Sequence, residues 1–134
     1  MSEIIEKIET IKNLFHLKKC TQHDIDIAEL KLQLSLSNDY KSYISTYGAI
    51  SFNDSEWTGL GASIPQYLNV IYTTLIARES HHNFRPDFFV IEEMHIDDVI
   101  IVSNAVGKIY IVNNSKEKLL CNSLSEYIDL CLMR

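Results

Sequence analysis

The chain has 134 residues, enough for one hydrophobic core and too few for tandem modules or a large multidomain enzyme. Hydrophobic side chains make up 46% of it, so it can bury enough apolar surface to fold without a disulfide or a metal as a staple. Its 12 Lys and Arg against 18 Asp and Glu leave a net charge of -6, which argues against direct nucleic-acid binding and for a cationic partner. Cys20, Cys121 and Cys131 lack the CxxC spacing of metal or redox motifs and are expected to be reduced packing residues. The alternating charges of Glu3, Glu6, Lys7 and Glu9 are unlike a secretory leader, and no apolar run approaches the roughly 18 residues that span a bilayer. The expectation is a soluble, cytoplasmic protein with no membrane association.

Ile4, Ile8, Ile11 and Phe15 recur at steps of three or four and predict a first helix with one apolar stripe. Thr21 followed by Asp24 resembles a capping box, opening a second helix that carries Ile25, Ala28 and Leu32. A third helix starts from Ser35 or Ser37, presents Tyr40, Tyr43, Ile44 and Tyr47 on one face, and stops at Gly48 in the left-handed conformation. From Ala49 to Ser63 the helical period is lost, and short strands turning at Asn53 and Asp54 are expected. Ser63 and Pro65 supply the start of a fourth helix whose Leu68, Ile71 and Leu75 face the core, ending near Glu79 and followed by a loop to Pro86.

Phe88 to Glu93, Val99 to Asn104 and Lys108 to Asn113 are rich in β-branched and aromatic residues, and their short connections make an antiparallel meander. Leu119 to Cys121 adds a short strand, and Ser123 with Glu126 forms an S-x-x-E capping box for a last helix that buries Tyr127, Ile128 and Cys131. The class is α+β: an antiparallel β-sheet flanked by N-terminal, middle and C-terminal helices, in a single domain over residues 1–134.

The charge is unevenly spread. Between Ser42 and Gly107 eight acidic side chains stand against only Arg78 and Arg85, so this middle segment carries the whole imbalance. If folding gathers its acids on one face, their summed potential would steer a basic protein and repel nucleic acid. The partner-binding set expected on this ground is Asp54, Glu56, Trp57, Glu92, Glu93, Asp97 and Asp98. Trp57 has two readings, an exposed anchor at an interface or a ring packed under the sheet. The four acids at 92, 93, 97 and 98 likewise either form the docking face or simply keep strand ends soluble.

Catalytic chemistry finds no comparable pattern. Glu79, His81, His82 and His95 are the one concentration of possible metal ligands, yet adjacent histidines in a loop point apart, so no metal and no cofactor is expected. Cys20 and His23 sit three apart at a loop-to-helix junction, which does not define a nucleophile and base. A small hydrolase using the His81 and His82 loop is the weakest of the functional classes, because no convergent site is visible.

The segment from Leu34 to Ile44, with Asp39 and Tyr40 followed by Tyr43, Ile44 and the Tyr47-Gly48 stop, resembles the early helix signature of the SUKH superfamily. Ser37 stands where that family usually has Pro. The helix before it, the Trp57 to Gly61 region, the middle helix, the strands and the terminal Ser-x-x-Glu helix follow the family's order from Thr21 onward. The resemblance implies a binding module and not an enzyme. Bacterial members look like immunity proteins that neutralise polymorphic toxins, often nucleases, and eukaryotic members resemble regulators of cell-wall synthesis. The implied partner is a basic cognate toxin held by stoichiometric occlusion; the alternative is a non-catalytic scaffold or regulatory protein-binding module.

Overall fold

Capping chemistry sets the helix starts. In the computed structural model, which describes residues 3–114 and 116–134, Thr21 and Asp24 exchange both bonds of a capping box at the head of α2 (Gln22–Leu32): the Asp24 amide donates to Thr21 Oγ1 at 3.1 Å and the Thr21 amide donates to Asp24 Oδ2 at 2.9 Å. Ser37, not Ser35, caps α3 (Asn38–Tyr47) by accepting the Tyr40 amide at 3.3 Å. Ser123 caps α5 (Leu124–Leu132) by accepting the Glu126 amide at 3.1 Å, but the Glu126 carboxylate turns to the Asn122 amide instead of closing the reciprocal bond to Ser123.

The first and fourth helices depart from the sequence expectation. The first helix, α1, covers only Glu3–Glu9; Asn13 has a positive φ of 61°, and Phe15 lies on a strand, β1 (Phe15–His16), paired antiparallel with Ser51. Strand pairing therefore overrides the helical spacing that ran from Ile4 to Phe15. Pro65 precedes a single 3-10 turn over Gln66–Leu68, and the fourth helix, α4 (Val70–Ser80), is capped by Asn69, whose Oδ1 accepts the Ile71 amide at 2.8 Å. Its buried face is then Val70, Thr73, Thr74 and Ala77, while Leu75 and Ile76 are exposed.

The strands form two antiparallel sheets: β1, β2 (Ile50–Phe52) and β3 (Ser55–Glu56) in one, and β4 (Phe89–Glu93), β5 (Val99–Ser103), β6 (Ile109–Asn113) and β7 (Lys116–Cys121) in the expected meander. Alternation along β4 to β6 gives the larger sheet two buried faces. Phe89, Ile91, Ile101 and Ile109 join the main core with residues of α1, α2, α3 and α5. Phe88, Val90, Ile100, Val102 and Val112 form a second cluster with Ala77 of α4. The outer strand β7 has no such cover, and Lys116 to Leu120 are all exposed.

The tyrosines of α3 lock the two sheets together. Tyr43 donates to the Thr58 carbonyl at 2.8 Å and accepts the Ile50 amide at 3.0 Å; Tyr40 bonds Thr58 Oγ1 at 2.8 Å, and that hydroxyl reaches the Val90 carbonyl at 2.7 Å. Gly48, which follows α3, adopts φ 74° and ψ -66° with the Ala49 amide donating to the Tyr47 carbonyl at 2.8 Å, a γ-turn in place of the expected left-handed stop. A Cβ here would lie 1.9 Å from the Lys18 carbonyl oxygen, so only glycine fits.

Candidate interaction surface

Of the seven residues expected to recognise a partner, two are internal. Trp57 is fully buried, with its ring 5.3 Å from that of Tyr43, 5.7 Å from Tyr127 and 6.1 Å from Phe52. It is a packing ring, and the reading of it as an exposed anchor is corrected. Glu92 is also buried, because the β4–β5 register shifts between Val90 and Glu92 and this bulge breaks the regular alternation of the strand. Its carboxylate is satisfied from several sides: the Glu56 amide and Arg134 Nη1 each donate to Oε2 at 3.2 Å, and the Tyr127 hydroxyl donates to Oε1. Arg134 also donates to Ser55 Oγ at 2.7 Å. Burial first, and then the neighbouring Glu92 carboxylate, push the Tyr127 phenol well above its ordinary range, so it stays a donor. A buried carboxylate needs such partners and has none left for another molecule.

The other five acids remain accessible, but they do not all meet. Glu93 ends β4, and Asp97 and Asp98 sit in the turn to β5; together with Thr73, Ile76 and Ala77 of α4 they line a cleft of about 390 Å³. His95, Asp97 and Asp98 have left-handed backbones, with φ of 59°, 52° and 59°. Asp tolerates that region because its short polar side chain bonds locally. Glu93, Asp97 and Asp98 make no ion pair among the described residues. Their charges stand beside the apolar walls of Val90, Val99 and Ile100, a setting that strengthens the field in the cleft. Asp54, in the β2–β3 turn, is exposed and lines no part of it. Glu56, on β3, is half-buried and opens into a separate depression.

A protein-family model described as SUKH_5: SMI1-KNR4 cell-wall matches residues 1–133. The chain belongs to the SMI1-KNR4 (SUKH) family. A comparison with curated proteins found no match. Among the described residues, the α+β arrangement of five helices and two antiparallel sheets agrees with a SUKH fold. Among the described residues no helix is long and apolar enough to cross a membrane.

His81 is buried with Nδ1 3.3 Å from the Asn114 carbonyl, whereas His82 is exposed. Among the described residues no three His, Cys, Asp or Glu side chains are grouped to hold a metal ion. Burial, and after it Asp24, push the Cys20 thiol up to about 11, opposite to what a nucleophile needs, and His23 is exposed. Sequence reasoning missed Arg134, 42 positions from the Glu92 it binds. It also missed the cleft wall on α4, although the Val70, Thr73, Thr74 and Ala77 spacing was available as a signal once Asn69 was taken as the cap.

Proposed function

We propose that this SUKH protein is a non-catalytic, cytoplasmic immunity protein that neutralises a basic toxin, of the nuclease type, by covering its active or substrate-binding surface in a stoichiometric complex. The observation that carries the reading is the cleft between α4 and the β4–β5 turn, where Glu93, Asp97 and Asp98 stand unneutralised among the described residues. A surface of this sign raises the encounter rate with a cationic protein and disfavours nucleic acid, the substrate such a toxin would otherwise hold. The test is co-purification with candidate toxin domains, those encoded by neighbouring genes first, followed by a nuclease-protection assay. A salt-sensitive complex and loss of toxin activity at equimolar protein are expected; no complex at low salt would overturn the reading. The family's link to the cell wall favours a second reading, a regulatory scaffold, which capture of cell-wall or signalling proteins in place of a toxin would reveal.

A further inference from the structure

We infer that the depression between β1 and the 3-10 turn is a slot for one arginine side chain of a protein partner. It is bounded by Phe15 and Leu17, by Ile50 and Glu56 of the small sheet, and by Pro65 and Tyr67. Phe15 and Tyr67 are 62% and 58% exposed, so both rings are available to a ligand although each has an apolar body that folding left uncovered. The volume is about 150 Å³. That is below the 300 Å³ or so at which drug-sized ligand sites begin, and near that of a cavity holding a single small ring, so one side chain is the right scale.

Charge selects which side chain. Glu56 makes no ion pair among the described residues, and its one side-chain bond is from the Tyr67 hydroxyl at 3.3 Å to Oε2. The carboxylate therefore keeps acceptor capacity beside two aromatic rings. A guanidinium satisfies both features at once, because its plane stacks on aromatic faces while its donors pair with a carboxylate. A neutral apolar side chain would desolvate the Glu56 carboxylate and leave it without a counter-charge. Phe15 lies on β1, the outer member of the small sheet, and the exposure of both rings leaves the slot open to solvent. The inference rests on the proposed basic protein partner, and it moves the aromatic-anchor role from the buried Trp57 to Phe15 and Tyr67.

The test is an NMR titration of the intact chain with the peptide acetyl-Gly-Arg-Gly-amide and with its citrulline counterpart, equal in shape and without charge. Shifts centred on Phe15, Glu56 and Tyr67 are expected with the arginine peptide alone. Phe15→Ala and Glu56→Gln should each weaken binding about threefold to fivefold while the melting temperature stays unchanged. Equal binding of the citrulline peptide, shifts centred on Asp97 and Asp98, or no shifts at all would overturn the slot. So would concentration-dependent self-association removed by Phe15→Ala, which would assign the groove to a second copy. In the toxin complex, unchanged affinity of Phe15→Ala beside lost affinity of Asp97→Asn would overturn the slot and leave the toxin reading standing. Peptide shifts at the slot without any toxin complex would do the reverse.

Discussion

Glu92 and Glu93 are neighbours on β4, yet one is 3% exposed and bonded to Arg134, Tyr127 and the Glu56 amide, while the other is exposed at the rim of the cleft. Identical side chains one position apart thus belong to different parts of the molecule's physics. The first is part of the folding free energy, because a desolvated charge must keep its partners. The second costs the fold almost nothing and is free to act on other molecules through its field. A charge count over the sequence adds the two together; burial separates them.

Glu92→Ala should give the largest effect, a loss of about 3–5 kcal/mol in urea unfolding, since Arg134 and Tyr127 lose their shared acceptor. If Glu92 instead belonged to the docking surface, stability would hold and partner affinity would fall. Arg134→Met should cost less, about 2–3 kcal/mol, because Glu92 retains the Tyr127 hydroxyl and the Glu56 amide. Combining Glu92→Leu with Arg134→Met should recover most of the loss seen in Glu92→Leu and Arg134→Met alone, and simple additivity in that double-mutant cycle would refute the coupling. On the other side of the comparison, Glu93→Gln, Asp97→Asn and Asp98→Asn should each change stability by no more than about 0.5 kcal/mol. Together they should slow association with a basic partner about tenfold at low salt and flatten its ionic-strength dependence, as read by stopped-flow mixing.

A further expected effect is alkaline. Burial pushes the Cys20 and Cys121 thiols up to about 11 from an ordinary value of 9.0. Below about pH 9 the thiols are protonated in folded and unfolded chains alike, and their contribution is fully present. Between there and about pH 11 the unfolded chain releases protons that the folded one retains, so stability falls. Urea midpoints measured from neutral to alkaline pH should show this decline, and Cys20→Ala with Cys121→Ala should flatten part of it.

What could be foreseen from sequence follows the range of the interactions. Caps at Thr21, Ser37 and Ser123 were legible because acceptor and amide lie within three residues of each other. The meander was legible because its strands are adjacent in the chain and their β-branched runs are bounded by turn residues. Phe15 was misplaced because its spacing from Ile11 is helical, while its actual partner, Ser51, is distant in sequence. The face of α4 differs from the sequence expectation because the helix starts after Asn69 and not at Ser63 and Pro65, which changes the phase of its buried residues. The acids stand out in the sequence as a group, but the separation of Glu92 in the interior from Glu93 at the cleft depends on a bulge in β4 and on an arginine far along the chain. No local signal carries that information.

The uncovered strand β7 bears on behaviour at high concentration. A sheet that ends in open backbone is a template onto which a like chain can add, and growth of that kind leads to fibres. Here Lys116, Glu117 and Lys118 all stand in solvent along that border, so an incoming strand would have to strip water from three charges before gaining its ladder of amide bonds. That cost guards the molecule against polymerising through its largest sheet.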